Sequence, residues 1–196
     1  MRDLTLEFLS AVGDMSHVFE LAPSGRSKCR GCGGVIERGA LRFGERLPNP
    51  FSEGGDMTVW FHTMCAACKR PESLLQGLSE SPDGVPDREQ LERVARSGVD
   101  HPRLARIDGA ERASSGQAKC RSCHEPIARG TWRIRLAFWE EGRFATGGYV
   151  HLDCRKTYFE TDEGLDRLLH FSPDLGDSER AELVRACGDD PAARPG

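Results

Sequence analysis

The spacing of apolar positions predicts a strand-rich segment with one helix before it and further helices after it. Apolar residues recur at helical spacing over 2–12 and stop before Gly13, so a helix is predicted within residues 1–16. Helical spacing returns after Cys65 and again over 86–96. Between these helices, short alternating runs bounded by turn residues predict strands at 17–22, 40–47 and 57–61.

The same order of elements follows a second time along the chain. The apolar pattern predicts strands at 104–107, 131–138 and 149–150, with a long hairpin loop over 139–148. Helices are predicted at 154–158, 164–170 and 177–187, and Asp177 is expected to cap the last of them.

This order predicts an α+β fold made of two small units. Each unit is expected to be an antiparallel sheet or hairpin with flanking helices, one at 17–98 and the other at 101–188. A brief linker is expected around 98–101, and a flexible tail at 189–196. Because each unit has fewer than 90 residues, its core is small, and a bound metal ion would add needed stability.

Cysteines and histidines occur in both units with the same spacing. A Cys-x2-Cys pair is followed by a His-x2-Cys pair, with 29 residues between the pairs in the first unit and 27 in the second. The copies are also alike around the first pair, since ten of nineteen positions are identical when 24–42 is placed on 115–133. The chain therefore contains an internal repeat with a long period, which indicates two domains rather than a solenoid.

Three cysteines and one histidine in this order predict a structural zinc site, because three thiolates and an imidazole complete a tetrahedron around the ion. We therefore name 17–98 the first finger and 101–188 the second finger. Two Zn²⁺ ions are expected, with these ligands: Cys29, Cys32, His62 and Cys65 in the first finger, and Cys120, Cys123, His151 and Cys154 in the second.

Other readings of the cysteines are weaker. Cys68 could replace His62 in an all-cysteine site, but Thr157 stands at its position in the second copy. Redox dithiols would favour a βαβ context, and a catalytic zinc would need an open coordination position, which four protein ligands do not leave. Cys68 and Cys187 are then expected to be inert or buried thiols, and the remaining histidines to lie on the surface: His17, His101, His124 and His170.

Charge and composition limit the classes of partner that this chain is expected to bind. The net charge is −4, but residues 18–76 carry net +2 and residues 102–160 carry net +4, so basic charge lies near the zinc ligands. No run of eighteen apolar residues and no basic, apolar leader occurs, so neither a membrane partner nor export is expected. The expected compartment is the cytoplasm or nucleoid of a bacterium, or the nucleus of a eukaryote.

The order of these motifs resembles the poly(ADP-ribose) polymerase-type zinc finger. The resemblance rests on Ser24-Gly-Arg-Ser-Lys-Cys-x2-Cys32, on Ile36-x2-Gly-x-Leu-Arg42 and on Trp60-Phe-His-x2-Cys65, and it extends over 17–97 and 102–188. It implies recognition of broken or distorted DNA by structure rather than by sequence. In this family, basic side chains near the first cysteine pair and on the next strand bind phosphates, and an apolar pair at the hairpin tip stacks on a terminal base pair.

Carried over to this sequence, the resemblance assigns phosphate contacts to Arg26, Lys28, Arg30 and Arg42, and in the second finger to Lys119, Arg121 and Arg133. Gln117 replaces the second copy of Arg26, which removes one positive charge. The stacking pairs would be Phe51 with Met57, and Trp139 with Phe144.

The function expected from these features is non-enzymatic, zinc-dependent binding of DNA breaks or ends. After binding, a downstream repair protein is expected to act, or the bound end is simply protected. Two alternatives remain open on the sequence. The fingers could serve as a protein-interaction adaptor through the acidic helices 86–96 and 177–187, or they could bind structured or single-stranded RNA.

Overall fold

A computed structural model describes residues 16–49, 55–81, 84–140 and 142–188. The predicted N-terminal helix and the predicted tail therefore fall outside the described residues, apart from Ser16. The first finger contains three strands and three helices: β1 Val18–Leu21, β2 Leu41–Pro48, β3 Asp56–His62, α1 Thr63–Lys69, α2 Pro71–Glu80 and α3 Arg88–Asp100.

The second finger repeats the sheet and has shorter helices. A 3₁₀ helix at Pro102–Arg106 leads into β4 Ile107–Arg112, β5 Trp132–Glu140 and β6 Arg143–His151. A 3₁₀ turn at Leu152–Cys154 is followed by α4 Arg155–Phe159, α5 Leu165–His170 and α6 Asp177–Ala186. Both sheets are antiparallel, in the orders β1-β2-β3 and β4-β5-β6, which confirms the predicted α+β class.

Two predicted boundaries in the second finger are wrong. The strand predicted at 104–107 begins only at Ile107, because Pro102 opens a 3₁₀ helix that buries Leu104. The predicted hairpin loop over 139–148 is largely strand, since β5 and β6 remain paired as far as Glu140 and Arg143. The hairpin of the second finger is therefore a tight, extended arm.

Gly98 does not end α3, although the sequence pattern places it just past the helix. The helix continues to Asp100, and Gly98 is buried within it. A Cβ atom at Gly98 would lie 3.2 Å from Pro71 and 3.0 Å from the Arg167 guanidinium, so glycine permits this close approach. The expected linker is thus replaced by helix that packs against both fingers.

Two buried cations join the fingers. The Arg167 side chain in α5 is 1% exposed and donates to the Cys68 carbonyl oxygen at 2.5 Å and to the Val94 carbonyl oxygen at 2.6 Å. From the other side, Lys69 at the end of α1 donates to the Ile107 carbonyl oxygen at 2.7 Å and pairs with Asp108 at 3.2 Å. Burial lowers the pKa of Lys69, and the charge of Asp108 opposes that effect. Each cation reaches acceptors in the other finger, so the fingers are docked.

Apolar packing extends across the same interface. The core of the first finger is built from buried residues of its sheet and helices, and Phe171 of the second finger belongs to it. Trp139 and Phe144, from the arm of the second finger, also pack against this core. The second finger keeps a separate core around Ile134, Val150 and other residues of its own sheet and helices. Within the described ranges, no helix is long and apolar enough to cross a membrane.

Replacing Arg167 with methionine should destabilise the docked pair of fingers. The change removes the donor from two buried carbonyl groups, so we expect the free energy of unfolding to fall by about 2–4 kcal/mol. Urea denaturation at a fixed zinc concentration measures this. Arg185→Met, at an exposed position of α6, is the matched control and should change stability by less than about 0.5 kcal/mol. Equal stability of both variants would contradict the role of Arg167.

Candidate metal centres and nucleic-acid interface

The four predicted ligands of the first finger converge at the junction of β3 and α1. Their ligand atoms all lie within 4.8 Å of one another. The Nδ1 atom of His62 is 3.5 Å from the Cys32 sulfur and 3.8 Å from the Cys65 sulfur. Zinc bonds of about 2.3 Å to sulfur and about 2.0–2.1 Å to nitrogen place such atoms roughly 3.6 Å apart in a tetrahedron. The cluster therefore fits a four-coordinate zinc ion.

The second finger repeats this geometry. Its four ligand atoms also lie within 4.8 Å of one another, and His151 Nδ1 is 3.4 Å from the Cys123 sulfur and 3.8 Å from the Cys154 sulfur. The near-identical separations in two independent segments follow from the shared ligand spacing. Each finger thus provides three thiolates and one imidazole for a Zn²⁺ ion, as the sequence predicts.

Groups outside the ligand shell orient the ligands in both fingers. The second ring nitrogen of His62 donates to the Val35 carbonyl oxygen at 3.2 Å, and that of His151 donates to Pro126 in the same way, also at 3.2 Å. These hydrogen bonds fix the tautomer that leaves Nδ1 free for the metal. Sequence reasoning did not identify these carbonyl groups, because backbone acceptors carry no residue signature.

Backbone amides also support the first thiolate of each site. The amides of Gly31 and His62 donate to the Cys29 sulfur at 3.3 Å, and those of Ser122 and His151 donate to the Cys120 sulfur at 3.3 Å. Burial by itself would raise the pKa of Cys120, but backbone donors more than offset it and lower the pKa to about 7. These backbone donors therefore favour the thiolate form that zinc requires.

Both cysteine turns contain a residue with left-handed backbone. In the first finger this residue is Gly33, at φ 74°, and its amide donates to the Cys29 carbonyl oxygen at 2.8 Å. In the second finger it is His124, at φ 65°, with the same bond to Cys120 at 2.9 Å. His124 is exposed as expected and serves the turn through its backbone. The geometry, rather than glycine itself, is shared by the two turns.

The remaining cysteines and histidines only partly match expectation. Cys68 and Cys187 are buried, and neither belongs to a ligand cluster, which excludes the all-cysteine site in the described chain. His170 is not a surface residue. It is half-buried, and its Nε2 atom lies 3.1 Å from the sulfur of Cys65 in the other finger. No sequence spacing indicates this contact, because 105 residues separate the two side chains.

The predicted phosphate-binding residues fall into two groups. Five of them are exposed beside the cysteine turns: Arg26, Lys28, Arg30, Lys119 and Arg121. The other two lie inward, contrary to a direct role in binding phosphate. Arg42 pairs with Glu20 and stacks 3.6 Å over Trp60, while Arg133 pairs with Glu111 at 2.5 Å and stacks 3.7 Å over Tyr149.

Arg42 and Arg133 are buried because each guanidinium joins two strands of its sheet. Both side chains are at most 7% exposed, and each has a carboxylate on one side and an aromatic ring on the other. An arginine held in this way stabilises the sheet and presents little of its surface to a phosphate. The repeated pairing shows that the sequence identity at these positions reflects the fold.

The two aromatic residues predicted to stack on a base pair in the second finger instead pack within the protein. Trp139 and Phe144 contact each other with ring centroids 4.8 Å apart, and Trp139 lies 6.2 Å from Phe61 of the first finger. Arg70 stacks 4.6 Å over Trp139, and the Lys69 ammonium lies 4.8 Å over Phe144. Phe144 is therefore only partly exposed, since the arm docks on the first finger.

The stacking pair predicted in the first finger has a different outcome. Met57 is partly buried and packs against the first core, so it does not stand free at a tip. Phe51 lies outside the described residues, and its stacking role stays a prediction.

Comparison with known proteins shows which family the first finger is similar to. Residues 20–100 match the family model described as "Poly(ADP-ribose) polymerase and DNA-Ligase Zn-finger region". The first finger is therefore similar to the fingers of this family. The second finger is its repeat within the chain, with the same ligand set and the same three-stranded sheet. We refer to both as PARP-type fingers.

Similar curated proteins support the assignment. A poly[ADP-ribose] polymerase of Sarcophaga peregrina is 27% identical over 164 residues, which cover 72% of this chain and 16% of the relative. Poly[ADP-ribose] polymerase 1 of Oryza sativa subsp. japonica is 29% identical over 144 residues, covering 69% of this chain and 14% of the relative. The chain thus corresponds to about a sixth of these proteins, and the family match is to their zinc-finger region.

The two metal centres should be separable by substitution. We expect two zinc ions per chain, and Cys32→Ser or Cys123→Ser should each reduce the content to one, because three ligands hold a structural zinc weakly. Metal analysis of the dialysed protein by mass spectrometry measures the ratio. Cys68→Ser, which alters a cysteine outside both clusters, is the matched control and should retain two ions. Loss of an ion from this control would contradict the ligand assignment.

Proposed function

We propose that this chain binds DNA in a zinc-dependent, sequence-independent manner and recognises strand breaks or ends. The observation that carries the proposal is the exposed basic group beside each cysteine turn of a PARP-type finger. Arg26, Lys28 and Arg30 flank the first turn, and Lys119 and Arg121 flank the second. Phosphate contacts of this kind orient a protein on DNA without reading its sequence.

The distribution of charge supports a polyanionic partner despite the net charge of −4. The inward arginines are paired with Glu20 and Glu111, whereas the basic side chains at the turns are exposed and available to a ligand. Acidic residues concentrate elsewhere, for example around α3, where four of them border one surface groove: Glu89, Glu92, Asp100 and Glu163. The local potential at the turns therefore favours phosphate.

Preference for a break requires a feature that intact duplex hides. A severed duplex exposes the flat face of its terminal base pair, and an aromatic side chain gains about 1–3 kcal/mol by covering such a face. Phe51 is the candidate for this contact, since the arm of the second finger is docked. In this proposal a repair protein acts on the break after it is bound, or the bound end is simply protected.

A comparison of nicked and covalently closed duplexes of the same sequence tests the function. We expect about 5- to 150-fold tighter binding to the nicked form, which corresponds to about 1–3 kcal/mol of stacking. If the five exposed cations at the turns each neutralise one phosphate, they contribute about −4.5 to the slope of log affinity against log salt, at about −0.9 per contact. Fluorescence anisotropy over a salt series measures both quantities.

Controls separate this function from the alternatives. Protein stripped of zinc should lose binding, because the turns that carry the cations lose their anchor. Equal affinity for nicked and closed DNA would contradict break recognition. Competition by RNA at least as strong as by nicked DNA would favour an RNA ligand. Absence of salt-dependent binding to any nucleic acid would favour an adaptor that docks proteins.

A further inference from the structure

A groove crosses the boundary between the fingers on the side of the first cysteine turn. Its volume is about 510 Å³. One wall is the segment around Cys29, the floor includes Trp60 of β3, and the opposite wall is the tip of the second finger's arm, at Arg143 and Phe144. The groove therefore exists only because the arm is docked.

The charged side chains that line this groove are all positive. Lys28 and Arg30 border it from the first finger and Arg143 from the second, and all three are exposed. Among the described residues that line the groove, none is acidic. Low-dielectric walls with cations of one sign concentrate the potential and attract an anion.

The position of Arg143 is fixed by its neighbours. Its backbone lies opposite that of Glu140 at the end of the hairpin, and the adjacent Phe144 is held by Trp139 and by the Lys69 ammonium. An arginine at the tip of a free hairpin would sample many positions, whereas here its backbone is anchored to the first finger. Binding at this place thus costs less ordering entropy.

We propose that the groove binds a phosphodiester backbone, with Arg143 of the second finger and Lys28 and Arg30 of the first finger contacting phosphates of one strand. This inference rests on the proposed function and specifies it: both fingers engage the same nucleic acid. The arm of the second finger contributes a phosphate contact, while its aromatic side chains hold the arm in place.

The test is the salt dependence of nicked-duplex binding by Arg143→Gln. We expect the log–log slope to become less steep by about 0.9, since one phosphate contact is lost. Arg96→Gln is the matched control, because it makes the same charge change on α3, at an exposed position among acidic residues. It should leave the slope unchanged.

The outcomes distinguish this inference from the proposed function. If the unaltered chain prefers nicked DNA and Arg143→Gln matches it in slope and affinity, the groove assignment is overturned and the function stands. If the unaltered chain does not bind DNA, both fail. A reduced slope in Arg143→Gln with zinc content and stability unchanged supports the groove.

A second inference comes from the contact between His170 and Cys65. The imidazole of His170, at the end of α5, lies with Nε2 3.1 Å from a predicted zinc-ligating sulfur of the other finger. His170 is not in the four-ligand cluster, and that cluster already completes a tetrahedron. Phe171, the next residue, is buried in the first core and holds the end of α5 there.

The two metal sites differ in this respect. In the described part of the chain, the only imidazole beside Cys154 is that of its own co-ligand His151, at 3.8 Å. The repeat therefore does not explain the contact of His170. It arises from docking of the fingers, to which Arg167 of the same helix contributes.

We infer that His170 donates an outer-shell hydrogen bond to the Cys65 thiolate and so couples zinc retention in the first finger to docking of the second. Such partners typically change metal affinity by about 10- to 100-fold when they are removed. His170 is a positioning residue for the metal, not a ligand, so its loss should weaken one site and leave the stoichiometry at two under zinc excess.

Zinc transfer to a chelator, together with ¹¹³Cd resonances of the cadmium-substituted protein, tests this inference. In His170→Leu, we expect one ion to have about 10- to 100-fold lower affinity and one of the two cadmium resonances to shift. The second site is the internal control for folding. His170→Gln, which restores an N–H donor, should recover most of the affinity. Unchanged affinity and resonances in His170→Leu would overturn the inference, as would equal weakening of both sites.

Discussion

The arrangement of this molecule depends on the need of a buried guanidinium for hydrogen-bond acceptors. Arg167 is almost completely removed from water, and a charge in that position must be compensated by polar partners. Its acceptors are the carbonyl groups of Cys68, near the end of α1, and of Val94, in the middle of α3. Separation of the fingers would leave these groups without partners until water replaced them. Docking is therefore built into the polar interior, in addition to the apolar contacts.

Because the fingers dock, they have different structural roles although their sequences are similar. Both fingers have the same ligand set, the same strand order and the same buried arginine between a glutamate and an aromatic ring. In the described residues, the hairpin of the second finger extends as an arm onto the first finger. The aromatic residues of that arm, Trp139 and Phe144, pack against the core of the first finger. A duplicated unit has in this way acquired an intramolecular contact surface where the resemblance implied a ligand surface.

Much of the fold and of the metal sites could be predicted from the sequence. Alternating strands and paired Cys and His motifs are local signals, and the repeat supplied an independent check on the choice of His62 over Cys68. The limits appear where tertiary packing decides. The sequence pattern predicts Gly98 just past a helix end, but the residue lies inside α3. Because glycine has no side chain, Arg167 and Pro71 can approach it closely. Arg42 reads as a surface cation but is enclosed by Glu20 and Trp60, which come together only in the sheet.

No local sequence pattern predicts the contacts between the fingers. His170 and Cys65 are 105 residues apart, and their meeting depends on the docking angle. The same contacts determine how the chain can be divided for experiments. A fragment that ended near His101 would present to water the apolar surface that Phe171, Trp139 and Phe144 cover in the intact chain. An isolated first finger is consequently a poor surrogate for the tandem, and aggregation of such a fragment would reflect the cut rather than the domain.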